Sequence, residues 1–289
     1  MVSERSWKLL EILEETSRFF AARELADARL QAELLLAAVL GVKRLDLYLQ
    51  FDRSLLEDEV NLYRDYVRQR LKRIPIQYIV GEAAFRHLEL KVTADVLIPR
   101  PETEVLVDIA LDKTSAIEAP RCLDLCCGSG AIALSLAHER PTAVLVATDI
   151  SPQALAVAKD NGVHCGLEGR VEWLCGDFFA PLEGQTFDLI VSNPPYVRRA
   201  EIDALEPEVR DYEPHLALDG GADGLDCYRR IAAEAAHFLI PGGSLLLEVG
   251  DDQAEAVSEL LRQTNLYKKV EVVADLNDIP RIVTTCTPS

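Results

Sequence analysis

Over residues 6 to 72, apolar side chains recur at helical spacing. Trp7, Leu10 and Leu13 open one run. Residues 25–40 give a second, with Leu30, Leu34, Leu35 and Val39 along one stripe and Gly41 at its end. A third runs over about 55–71, with Val60, Tyr63 and Val67 on one face. Strand-like alternation is absent and no polar groups converge, so residues 1–75 are expected to form a small helical domain that docks a substrate rather than reacts with it. The pattern then changes. Phe85, Leu88, Leu90 and Val92 alternate, which predicts a β-hairpin. Pro99 and Pro101 interrupt the chain before a helix from about Glu102, with Glu102 and Glu104 at its positive end. Residues 76–98 therefore read as a hairpin linker to a second domain, 99–289.

From residue 120 short apolar runs alternate with helical ones. Strands are expected at 121–125, 143–148, 171–174, 187–191, 244–249, 269–274 and 281–285, and helices at 131–139, 152–161, 228–239 and 252–263. Such alternation predicts an α/β fold, a mostly parallel sheet wrapped by helices. The link 275–280 is too short for a crossover, so the last two strands should pair antiparallel. Ligands of such sheets bind beyond the carboxyl ends of the strands, near the switch in strand order.

Composition narrows the function. The 289 residues are 49% hydrophobic, enough to bury a core, and carry 48 Asp and Glu against 30 Lys and Arg, a net charge of −18. That charge argues against a general nucleic-acid coat and against a stable nucleic-acid partner. No apolar run approaches the length of a membrane span, and the polar first residues do not resemble a signal peptide. Seven scattered cysteines without metal-ligand spacing suggest free thiols, no metal and a cytoplasmic setting.

Chemistry gathers at four successive strand ends. "LDLCCGSGAIAL" places a glycine turn, Gly128-Ser129-Gly130, between strand and helix, where backbone N–H groups can meet a ligand. Its spacing is not that of a dinucleotide fingerprint, and it lacks a phosphate-loop lysine. Asp149 ends the next strand at a distance suited to a ribose diol. Asp177 and Phe178 follow in "CGDFF", a carboxylate and a ring suited to an adenine. "VSNPPYV" ends the fourth strand in Asn193, Pro194, Pro195 and Tyr196. Two prolines cannot continue a ladder, so they make a stiff loop offering an amide, free carbonyls and a ring, a clamp for a planar group with N–H donors.

These motifs in this order resemble the Class I S-adenosylmethionine-dependent methyltransferases. "PIQYIVGEAAF", "VLIPRPETEVLVD", "DYEPHLALDGGADGLDCYRRI" and "EVGDDQAEAV" are more closely similar to the HemK/PrmC family. The resemblance implies a seven-stranded Rossmann-like domain behind a helical domain and a hairpin linker. It also implies methylation of the glutamine side-chain nitrogen (N5) in the Gly-Gly-Gln motif of peptide chain release factors, with S-adenosyl-L-homocysteine as product. Carried onto this chain, Cys126, Cys127, Gly128, Ser129, Gly130, Asp149, Asp177, Phe178 and Asn193 hold the cofactor. Asn193, Pro194, Pro195, Tyr196, Arg100 and Glu102 meet the substrate, and Asn193, Pro194 and Tyr196 are catalytic. The family's loop usually reads Gly-Thr-Gly-Ser-Gly, whereas here Cys126-Cys127 precede Gly128. Two alternatives share the clamp: a glutamine methyltransferase acting on a ribosomal protein, and an adenine-N6 methyltransferase acting on a flipped base.

Overall fold

The structure, a computed structural model, describes residues 7–275 and 277–289. Two compact units divide at Gly81. The first holds helices α1 (Leu9–Ala21), α2 (Ala28–Leu40), α3 (Glu57–Leu71) and α4 (Ile76–Val80). Leu9, Leu13, Phe20, Leu35, Leu36 and Tyr63 are buried at its centre, and the Tyr63 hydroxyl donates to the Ala32 carbonyl at 3.1 Å. Two expectations need correction. The buried stripe of α2 is Ala32, Leu35 and Leu36, whereas Leu30 and Leu34 are exposed. This helix is apolar around most of its circumference, so periodicity alone does not select the packed face. Residues 76–80, read as the start of the linker, are helical.

The hairpin opens the second unit as β1 (Glu82–Phe85) and β2 (Leu88–Lys91), paired antiparallel with Phe85 opposite Leu88. α5 (Pro101–Thr114) follows, then β3 (Arg121–Leu125), α6 (Ala131–Glu139), β4 (Val144–Asp149), α7 (Pro152–His164), β5 (Val171–Cys175) and β6 (Phe187–Ser192). The chain continues through α8 (Pro207–Tyr212), α9 (Asp226–Glu234), β7 (Leu239–Glu248), α10 (Ala254–Thr264), β8 (Lys268–Ala274) and β9 (Pro280–Cys286). The seven-stranded sheet has the order β5-β4-β3-β6-β7-β9-β8. Its first five strands are parallel; β9 runs antiparallel to both β7 and β8.

Side-chain alternation explains the layers. Cys122, Leu145, Ala147, Leu189 and Val191 pack with α5, α6, α7 and the hairpin residues Phe85 and Leu90 on one face. Their chain neighbours Leu123, Val146 and Ile190, together with Leu245 of β7, pack on the other face with Tyr228 and Ile231 of α9 and Val257 and Leu261 of α10. Strand order reverses between β3 and β6, so a crevice opens there at the carboxyl edge.

Two local differences from the expected elements have physical causes. The ninth helix stops at Glu234 and a 3-10 turn follows. β7 begins at Leu239 and carries Pro241-Gly242-Gly243 within it: Phe187 pairs with Leu239 but Leu189 with Ser244, so the extra residues bulge. Residues 199–217, without sustained periodicity, form short helical turns around α8. Among the described residues no helix is long and apolar enough to cross a membrane.

Candidate active site

A cavity of about 240 Å³ lies at the carboxyl ends of β3, β4 and β6, where the topology of the sheet predicts a ligand. Cys126, Cys127, Gly128, Ser129, Asp149, Asp177, Phe178, Asn193, Pro195 and Arg100 border it. Gly130, Pro194, Tyr196 and Glu102 do not.

The glycine turn is shaped by backbone geometry. Cys126 and Gly128 have φ of +64° and +52°, in the left-handed region that glycine enters freely and cysteine does not. A Cβ on Gly128 would meet nothing within 4 Å, which leaves its side of the cavity open to close approach. Gly130 serves packing instead: its Cβ would lie 2.8 Å from the Trp173 ring and 3.2 Å from Ala158. Burial pushes the Cys126 and Cys127 thiols well above their ordinary value, so both stay protonated and apolar in character.

Asp149 is fixed from both sides. The Gly128 N–H donates to its Oδ2 at 2.9 Å and the Ser151 N–H to its Oδ1 at 2.8 Å. Each carboxylate oxygen retains a lone pair for a further donor. Burial raises its pKa, opposed by those backbone N–H groups. Asp177 borders the cavity but also pairs with Arg230 at 2.8 Å. The same guanidinium lies 4.5 Å from the Phe178 ring centroid, so the ring has a cation on one face.

β6 ends at Ser192, whose hydroxyl donates to the Leu125 carbonyl at 2.6 Å and ties it to β3. Asn193 Nδ2 donates to Thr103 Oγ1 in the first turn of α5 at 3.2 Å. Among the described residues its Oδ1 has no protein partner, and the Pro194 carbonyl accepts no hydrogen bond. The Tyr196 carbonyl accepts from Gln253 Nε2 at 2.9 Å, and its ring packs against the α9–α10 side of the core. Tyr196, expected to meet the substrate amide, thus packs in part against the core, and burial raises its pKa to about 12. Arg100 Nη2 donates to both oxygens of buried Glu213 at 2.7 and 2.8 Å, which ties the start of α5 to the end of α8. Glu102 is half-buried in the first turn of α5.

Sequence reasoning missed several residues. Thr103 and Cys227 border the cavity, as do Val96 and Leu97 after the hairpin and Pro214, Leu216 and Ala217 from the segment after α8. Asn161, fully buried, accepts from the Lys91 N–H at 2.7 Å and donates to the Ser129 carbonyl at 3.0 Å, bracing the glycine turn. Buried Glu248 ends β7. A carboxylate closing the otherwise apolar strand "SLLLE" was the available signal for it.

Comparison with known proteins places the chain among its relatives. The family model described as PrmC N-terminal domain matches residues 11–81, and that described as Methyltransferase small domain matches residues 101–221. The release factor glutamine methyltransferase of Geobacter sulfurreducens is 44% identical over 96% of this chain and 96% of its own length. That of Moorella thermoacetica is 43% identical over 92% of this chain and 94% of its own. Among solved structures, a methyltransferase from Pyrococcus furiosus superposes with a TM-score of 0.52 at 17% identity, covering 71% of this chain and 92% of that one; this likeness concerns the fold.

Proposed function

We propose that this chain, which belongs to the family of release factor glutamine methyltransferases, methylates the side-chain amide nitrogen of the glutamine in the Gly-Gly-Gln motif of peptide chain release factors, with S-adenosylmethionine as donor. The observation that carries the reading is the free acceptor pair at the end of β6. Asn193 Oδ1 and the Pro194 carbonyl lack protein partners among the described residues, on a loop stiffened by two prolines.

The sulfonium of the donor supplies an activated methyl group. The protein supplies placement and charge stabilisation. The Gly128 backbone leaves room for close approach, and Asp149 offers its remaining lone pairs to a ribose diol. Asp177 and Phe178 border the space suited to an adenine. An amide nitrogen is a weak nucleophile because its lone pair is delocalised. Asn193 Oδ1 and the Pro194 carbonyl accept its two protons, which holds the nitrogen in line and stabilises the positive charge it gains. The Tyr196 ring packs against the core behind the loop and helps to hold it in place.

The helical unit reads as the recognition element for the protein substrate. Leu45, Leu49 and Leu56 are 69%, 84% and 67% exposed, apolar side chains available to a protein partner. The acidic net charge disfavours the nucleic-acid alternative. Incubation with labelled S-adenosylmethionine and, separately, a release factor, ribosomal proteins and duplex DNA tests the assignment. Label should enter the release factor and be lost when its Gly-Gly-Gln glutamine is replaced; label in either other substrate alone would refute the reading.

A further inference from the structure

Glu248 has no part in the site as described, yet the sheet brings it there. The parallel register pairs Ser192 of β6 with Leu247 of β7, so the next residues, Asn193 after β6 and Glu248 at the end of β7, lie side by side at the carboxyl edge of the sheet. The Glu248 side chain is 1% exposed, and its Oε2 has no hydrogen-bond partner among the described residues. Its surroundings come from every neighbouring element: Thr103 and Glu102 on α5, Asn193 and Tyr196 on the loop after β6, Arg281 on β9 and Asp251 beyond β7. The Tyr228 hydroxyl of α9 donates to its backbone carbonyl at 2.7 Å. Among the described residues the cation beside it, Arg281, is engaged elsewhere: its Nη1 pairs with Asp251 at 2.5 Å, and its Nε stands 3.6 Å from Asp275. A carboxyl that is buried without a committed cation is costly, and an apolar residue of similar size would fill the space more cheaply.

We infer that Glu248 is a positioning residue for methyl transfer. It acts through Thr103, and through the Asn193 NH₂ itself, to hold the Asn193 amide with its Oδ1 toward the substrate nitrogen. The inference rests on the function proposed above. Hydrogen-bond chemistry supports it. Thr103 and Asn193 both neighbour the Glu248 carboxyl, and an ionised Glu248 can only accept. A Thr103 hydroxyl that turns its hydrogen toward Glu248 keeps its oxygen lone pair for Asn193 Nδ2, the 3.2 Å bond observed. With the NH₂ end so occupied, a flip of the amide would set Asn193 Oδ1 against Thr103 Oγ1 while its hydrogen points away. Protonation of Glu248 removes this constraint, because the hydroxyl is free to reverse.

Burial raises the Glu248 pKa to about 7, opposed by Thr103, Arg281 and Asn193. The positioning form is therefore present above that pH and is lost as pH falls through it. Single-turnover methyl transfer to intact release factor by the full-length protein, measured between about pH 5.5 and 9, tests the inference. The wild-type rate should fall with one ionisation near neutrality. Glu248→Gln should flatten that profile while leaving the affinity for S-adenosylmethionine unchanged. Thr103→Val should lower the rate about tenfold above neutrality and by less as the wild-type rate itself falls at acid pH, with Thr103→Ser restoring most of it. A wild-type rate and an unchanged pH profile in Glu248→Gln, with full activity in Thr103→Val, would overturn the positioning role alone. Loss of cofactor affinity in parallel with rate would make Glu248 structural and equally overturn it. A wild-type protein that leaves the release factor unlabelled would overturn the function itself.

Discussion

The two halves of the cavity edge hold their polar groups in different ways. At the ends of β3 and β4, Asp149 is fixed by backbone N–H groups of Gly128 and Ser151, and Asn161 braces Ser129 through its carbonyl. At the ends of β6 and β7, Asn193 is held by the side chain of Thr103 beside the buried carboxyl of Glu248. The first half is built from main chain in tight turns, so its geometry is set locally. The second depends on side chains from distant segments and leaves acceptors open. On the proposed function, the lesson is a division of labour: a rigid half to bind the donor, and a half whose unpaired acceptors await a group that develops charge.

That division orders the expected effects. Asn193→Ala should lower kcat by about 10²-fold or more, since one contact realised in the transition state is removed. Asn193→Asp should be nearly as poor. It loses the donor that meets Thr103 and places a second carboxylate beside Glu248, so activity close to wild type there would show that only the acceptor oxygen matters. Asp149→Asn should act on the other half, weakening S-adenosylmethionine binding by about 2 to 3 kcal/mol while the rate at saturation changes little. Calorimetry with unaltered affinity would remove Asp149 from the ribose role.

A smaller effect concerns stability. Burial raises the Asp124 pKa to about 7, against the Ala133 N–H that donates to it at 2.9 Å. Its folded pKa exceeds its unfolded one, so the folded state binds more protons between them. The contribution is most favourable below about pH 4 and declines by up to about 1.4 kcal/mol per pH unit as pH rises toward 7. Asp124→Asn should therefore gain on wild type in denaturation midpoint as pH increases from 4 to 8; a constant difference across that range would contradict the shift. The smallest effect lies in the helical unit, where Leu49→Ser should raise KM for the intact release factor several-fold and leave kcat alone. An unchanged KM would take Leu49 off the recognition surface.

What the sequence disclosed follows the same division. The glycine turn, Asp149 and the order of strands and helices were legible because each rests on local spacing and alternation. The Asn-Pro-Pro-Tyr loop was legible because two prolines forbid a ladder. The partners of that loop were not: Thr103 lies 90 residues from Asn193, and no local pattern reports such a contact. The packing of Gly130 and Tyr196 was hidden for a related reason. Their types suit a ligand site, but their direction is decided by Trp173 and by the core under α9 and α10. In α2, an apolar surface on most sides hid which leucines are packed.

The central claim is that Asn193 acts on the reacting nitrogen and not on the donor. Measuring both the S-adenosylmethionine affinity of Asn193→Ala and its single-turnover rate on intact release factor tests this most directly. The account predicts affinity within about twofold of wild type and a rate lower by about 10²-fold or more. A wild-type rate, or a loss of affinity large enough to account for the slower turnover, would contradict it.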